Sequence, residues 1–212
     1  MSYYKTNKGI LKEEYDDFYD IDSPRECNDF SVFLTFESRN SSPDKSEYKT
    51  IEEFVIDLAG NEANEKYKKS IAEGNKYFIS RLTKRGYAVL PVYKYEHSSI
   101  TYEAAEANPF YNDWDSGLVG FIYVTPEVIK KHYNVSIITK NLIDSIKNQL
   151  KEEVKYYSDW IKGNVYAYLL YSEDGEEIDS MGGFIGDIET NGVKENFEIT
   201  EYEYIGENYE WE

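Results

Sequence analysis

Cysteine is almost absent: Cys27 is the only one in 212 residues. A single thiol makes no intramolecular disulfide and no thiolate zinc cluster, which fits a reducing compartment. The two histidines, His97 and His132, add few soft ligands, so the sequence leads to the expectation of no metal and no other cofactor. No run approaches the roughly 18 apolar residues of a membrane span. The opening residues MSYYKTNKGILKEEYDDF have no apolar centre of the kind a signal peptide needs. The expected location is therefore the cytoplasm, without membrane attachment. Positive charge is also scarce, with 23 Lys and Arg against 41 Asp and Glu, a net charge of −18. Such a field repels phosphates and argues against direct contact with nucleic acid.

Tyrosine and acidic side chains are abundant. Tyr alone supplies 22 residues, each an apolar ring carrying a hydroxyl that needs a partner or water. The acidic excess is uneven. Tyr171 to Glu212 holds 14 acidic residues and one basic residue, Lys194, a local −13; Met1 to Asp29 holds 8 acidic and 4 basic residues, a local −4. Either this charge is a solubilising coat, or it is a surface that meets something basic through steering and complementarity.

The pattern of elements predicts an α+β fold, an antiparallel or mixed sheet with helices packed on one face. Residues 1–29 read as an acidic N-terminal arm or extended strap, and residues 30–212 as a single domain with an acidic C-terminal part. DFSVFLTF from Asp29 reads as a strand. Thr50 and Glu53 form a capping box for a short helix that Gly60 stops. Asn61 to Lys84 is helix-forming, and YAVLPVYKYEH is a strand in which Pro91 signals an edge or a bulge. GLVGFIYV is a buried strand, and Thr125 with Pro126 opens a short helix. Thr139 opens a longer helix, along which Leu142, Ile146, Leu150, Val154, Tyr157 and Ile161 recur every three or four residues. NVYAYLLY and IDSMGGFIG flank an Asp-Gly hairpin turn, and FEITEYEYI alternates as a last strand.

The segment NPFYNDWDSGLVGFIYVTPE raises the question of a site. Asp113 and Asp115 are two apart, so on an extended chain both carboxylates face one way. An EF-hand is excluded, because the glycine falls at the fifth place and Val124 stands at the twelfth. A nucleophile elbow is excluded, because Trp114 and Leu118 occupy its glycine positions. With His97 from the preceding hairpin, Asp113 and Asp115 form a candidate polar site for an acid–base or metal-dependent enzyme. The structural alternative is a corner, with Trp114 and Val119 to Val124 buried and Gly117 in a backbone conformation few residues tolerate. The second candidate lies in ITEYEYIGENYEWE. Glu201 and Glu203 form a row on one side of a strand and Tyr202 and Tyr204 on the other; with Glu198, Glu207 and Glu210 they make a partner-binding surface for a basic protein. The charged-edge alternative, in which the carboxylates block strand-to-strand aggregation, serves the same segment.

The runs YKYEHSSITYE, WDSGLVGFIYVTPEVIKKHY and NVYAYLLYSEDGEEIDSMGGFIGD resemble a family of small proteins of phages and conjugative elements of Firmicutes with a WDSGxVGFIYV motif. The resemblance covers Leu90 to Asp187, about half the chain. The family tends to carry His-Ser-Gly where this chain has His97-Ser98-Ser99, and Pro-Phe-Ser-Cys where it has NPFYND. It implies no catalytic residues. It implies a mobile-element setting in host bacteria, where small acidic proteins often inhibit restriction or CRISPR nucleases, some as DNA mimics. A structural or regulatory phage protein is the remaining alternative.

Overall fold

A computed structural model describes residues 1–17, 22–26, 28–110 and 114–211. Among them, six helices and nine strands form two antiparallel sheets, an α+β fold as the sequence pattern predicts. The chain runs through β1 (Ser2–Thr6), β2 (Gly9–Tyr15), β3 (Val32–Thr35), α1 (Ile51–Ala59), α2 (Asn61–Lys69) and α3 (Ile71–Lys84). It continues through β4 (Ala88–Glu96), β5 (Ile100–Ala104), β6 (Ser116–Val124), α4 (Pro126–Tyr133) and α5 (Lys140–Ile161). The last elements are β7 (Val165–Tyr171), β8 (Glu177–Ile185), α6 (Val193–Asn196) and β9 (Tyr202–Gly206).

Two compact units divide the chain. Unit 1 joins Met1–Ser23 to Asp159–Glu212, and unit 2 is the continuous segment Pro24–Ser158. The break after Ser23 differs from the expected division at residue 29. The first residues are extended and pair as strands, with β2 between β7 and β1 in the sheet order β8-β7-β2-β1-β9. Tyr4 and Leu11 face each other across the β1–β2 ladder, and that register places both on the face that carries the core of this unit.

The core of unit 1 lies on one face of its sheet. Leu11, Tyr168, Leu170 and Phe184 pack there against Ile188, Val193, Phe197 and Ile199 from the connection that contains α6. Glu13 points into the same face, where its carboxylate accepts a hydrogen bond from the Tyr168 hydroxyl at 2.6 Å and from the Tyr4 hydroxyl at 3.5 Å. Burial and the Glu13 carboxylate both push the Tyr168 phenol above its ordinary range. On the opposite face the C-terminal residues fold back. Tyr209 meets Tyr3 at 5.9 Å between ring centroids, and Trp211 meets Tyr171 at 5.1 Å.

Unit 2 is built on the sheet β3-β6-β4-β5. Alternation along β3 sends Leu34 to one face and Phe33 to the other. Leu34, Val89 and Phe121 meet Phe54, Val55, Phe78 and Leu82 of α1 and α3 on the first face, and each such fully buried side chain stabilises by roughly 1.5–3 kcal/mol. On the second face Phe33 and Tyr102 meet Tyr157 of α5. The α5 stripe is buried at Ile146, Leu150, Val154 and Tyr157, with Ile143 in place of the expected Leu142, while Ile161 is exposed. Ser70 divides the expected continuous helix over 61–84: its hydroxyl accepts from Glu73 N at 3.1 Å, capping α3. Gly74 then lets the Tyr67 ring pack directly against α3. Pro91 sits in the central strand β4, not at an edge, and the ladder to β6 slips one step on, between Val92 and Tyr93.

One buried charge cluster ties unit 2 together. Arg25, 6% exposed, donates to both oxygens of Asp44 at 3.1 and 2.6 Å and to Glu153 at 3.0 Å. Asp44 also accepts from Phe33 N at 2.6 Å, so the cluster fixes the loop after β3. With both carboxylates answering the guanidinium, the role is architectural.

Candidate functional site

The division into units sharpens the charge pattern. Unit 1 holds 5 basic and 21 acidic residues, a net −16, whereas unit 2 holds 18 and 20, a net −2. Unit 1 therefore carries nearly all of the −18 of the chain.

The acidic candidates sit at one end of the unit 1 sheet. β9 is its edge strand and pairs only with β1 among the described strands. Tyr202 and Tyr204 flank the Tyr4 ring at 5.8 and 5.7 Å in edge-on contacts, which pins β9 through its aromatic side. Glu203 stands opposite Lys5 in the ladder, and both are exposed. Glu201 precedes the strand and is exposed, as are Glu207 and Glu210 in the segment that carries Tyr209 and Trp211. Glu198 is exposed on a left-handed backbone (φ 54°), and Lys8 reaches it at 2.9 Å. That hydrogen bond holds the Glu198 carboxyl below the usual range. The chain thus presents Glu201, Glu203, Glu207 and Glu210 to solvent beside a fixed aromatic row, while Glu198 is engaged by Lys8.

The polar candidate in unit 2 comes together only in part. His97 is exposed in the β4–β5 turn. Glu96 N donates to Asp115 O at 2.9 Å, so the backbone brings His97 and Asp115 to the same end of the β4–β6 ladder. Asp113 lies outside the described residues. The neighbour of His97, Glu96, is held by Lys94 at 2.8 Å, and its carboxyl is lowered by that hydrogen bond and charge. Lys94 in turn reaches Glu37, whose other oxygen accepts from the Tyr102 hydroxyl at 3.0 Å. Among the described residues no group of three or more His, Cys, Asp or Glu is placed to hold a metal ion.

Two expectations about the corner are overturned. Trp114 is 96% exposed, in the turn that precedes the start of β6 at Ser116. The core position expected for it is filled by Phe121, stacked on Phe54 at 5.3 Å. Gly117 has no special backbone: it is an extended residue paired with Lys94, with open space where a Cβ would stand. The glycine that the fold requires is Gly120, where a Cβ would strike the Leu34 carbonyl of β3. The run Val119 to Val124 is largely buried, at Phe121, Ile122 and Val124, with Val119 and Tyr123 half-buried.

Ser116, Gly117 and Leu118 line a cleft of about 960 Å³ in unit 2, together with residues of α3, the β5–β6 connection and α5. Its lysines were not among the sequence candidates. The one available signal was local: the first turn of α5 opens with Lys140 and holds no acidic residue, the reverse of what the helix dipole favours.

The chain matches no family model, no curated protein and no solved structure. Among the described residues no helix is long and apolar enough to cross a membrane.

Proposed function

We propose that the chain is a non-enzymatic acidic inhibitor, in which unit 1 sets its carboxylates against the basic surface of a nucleic-acid-binding protein as a DNA mimic does. The observation that carries this reading is the partition of charge, −16 on unit 1 against −2 on unit 2. A solubilising coat needs no such partition; a surface that competes with phosphates for Lys and Arg does. The edge strand β9 supports the reading, since exposed carboxylates there stand on a backbone held by the Tyr4 contacts. The resemblance to mobile-element proteins supplies the target class: a restriction or CRISPR nuclease in the cytoplasm of a bacterial host.

The test replaces Glu198, Glu201, Glu203, Glu207 and Glu210 with Gln, which keeps size and hydrogen bonding and removes five charges. Partners are first captured from a bacterial lysate at low and moderate salt, and the captured nuclease is used for kinetics. The variant is expected to fold as the parent does and to lose about tenfold or more of its association rate, with a smaller change in dissociation. It should also compete less well with DNA for the nuclease. Inhibition equal to that of the parent would reduce the carboxylates to solubilising groups.

A further inference from the structure

Unit 2 is almost neutral, yet it holds a cleft ringed by lysines. Lys76 and Lys84 of α3 and Lys140 and Lys147 of α5 stand around the cleft of about 960 Å³. Its apolar floor is formed by Ile79, Leu118 and Tyr93. Glu106 and Asp144 are the acidic residues of the lining. Its chemistry differs from that of the acidic residues of unit 1.

Of these lysines, Lys84 stands in the last turn of α3, where the helix dipole favours its charge. Lys76, Lys84 and Lys140 are exposed, and they form no ion pair among the described residues. Lys140 sits in the first turn of α5, where its charge opposes the helix dipole. Lys147 is different: its side chain is 14% exposed and it contacts Glu106 at 2.7 Å, which joins α5 to the β5–β6 connection. That hydrogen bond, with the charge behind it, holds the Glu106 carboxyl below its usual range.

Neutral polar groups complete the lining. Asn108 Nδ2 donates to Ser116 Oγ at 3.0 Å on one wall. On the wall formed by α3, Thr83 Oγ1 is buried and has no hydrogen-bond partner among the described residues. A helical threonine ordinarily bonds the carbonyl one turn back, and a buried hydroxyl without a partner is costly. Ile71, 48% exposed, leaves apolar surface at the rim that a ligand would cover.

We infer that this cleft binds a small organic phosphate of nucleotide size, with phosphate oxygens on the lysine ammoniums and the apolar body on the Ile79, Tyr93 and Leu118 floor. Several unpaired ammoniums around one concavity suit a head with more than one negative charge, which a single carboxylate does not offer. The volume lies within the range of roughly 300–1,000 Å³ typical of small-ligand sites. The net −18 of the chain disfavours a nucleic-acid strand as the occupant. Glu106 is a built-in competitor that the phosphate displaces from Lys147.

The experiment titrates the full chain with ADP, GDP, CDP and UDP by calorimetry, with pyrophosphate and adenosine as controls. At least one diphosphate is expected to bind at one site per chain and more tightly than either control. Replacing Lys76 and Lys140 together with Gln, both at exposed positions, should weaken that binding about tenfold or more. Glu106→Gln, which releases Lys147, should tighten it; a merely structural role for the pair would give no gain. The absence of binding by all four diphosphates would overturn the inference, as would equal binding of pyrophosphate or an unchanged affinity in the double lysine variant. Self-association that the double variant abolishes would assign the cleft to acidic segments of a second copy, and would overturn it too.

Discussion

Gly117 and Gly120 lie three residues apart on β6 and make opposite demands on a methyl group. Gly117 is extended with open space around it, whereas a Cβ at Gly120 meets the Leu34 backbone, which no rotamer change relieves. Gly117→Ala is expected to leave stability within about 0.5 kcal/mol. Gly120→Ala is expected to cost about 3 kcal/mol, at the upper end of overpacking effects, because β3 itself must shift; urea unfolding of the two variants measures the contrast. Tyrosine provides the second prediction at this scale. Tyr48 donates to Asp57 at 2.6 Å, and that hydrogen bond, with burial, pushes its phenol up to about 12. Burial first, and neighbouring carboxylates second, raise Tyr102 and Tyr168, while burial leads for Tyr67. A phenol whose folded pKa exceeds its unfolded value of about 10 binds its proton more tightly when folded, so its stabilising contribution is complete below pH 10 and is lost as pH rises through the folded value. Part of the phenolate absorbance should therefore rise in a cooperative stage above about pH 11, coincident with loss of ellipticity. A single gradual stage would mean that these hydroxyls are not held by the fold.

At the scale of elements, β9 and the residues after it form a strap that runs from the sheet edge to the β7–β8 turn. Trp211 contacts Tyr171 and Tyr209 and covers the turn at Gly175, where a Cβ would lie 3.2 Å from the indole. Trp211→Ala is expected to speed amide exchange in β9 and in the β7–β8 turn while leaving β4 and β6 unchanged, as hydrogen exchange with mass spectrometry would resolve. Much at this level was legible in the sequence. Thr50 accepts from Glu53 N at 3.1 Å and Thr125 from Val128 N at 3.4 Å, the caps that the spacing predicts. The Asp174-Gly175 turn closes with Gly175 N on Ser172 O at 3.1 Å. The first two strands were not legible, because in Ser2–Thr6 and Gly9–Tyr15 tyrosine, lysine and glutamate occupy positions on both faces and blur the period of two. Glu13 illustrates the cause: a carboxylate on the buried face is made tolerable by hydroxyls from β1 and β7, partners that lie up to 155 residues away. The lysine cleft was illegible for a related reason. Its residues come from α3 and from α5, and no sequence spacing marks a convergence made only by packing.

For the whole molecule, the division of charge has a measurable cost. Self-repulsion within unit 1, at −16, opposes its compact state, whereas unit 2, at −2, has little of it to relieve. Raising ionic strength from about 0.15 to 1 M shortens the screening length from about 8 to 3 Å. Amide protection in β1, β2, β7 and β9 is therefore expected to increase with salt, with β3 to β6 nearly unaffected; equal shifts in both sets would show that the carboxylates do not act as one field. The same topology also sets an order of events on the ribosome. Strand β2 pairs with β7, so its outer edge waits for residues that emerge about 150 positions later, roughly 8 to 30 s at ordinary rates of synthesis. Throughout that wait the nascent β1–β2 hairpin has an open edge that any other strand could join. Lys12, Glu13 and Glu14 lie along that edge, and a nascent chain bearing them is poorly suited to joining its neighbours on a polysome. The half-buried carboxylate of Glu13, a burden to the finished sheet, is thus a safeguard while the sheet is being made.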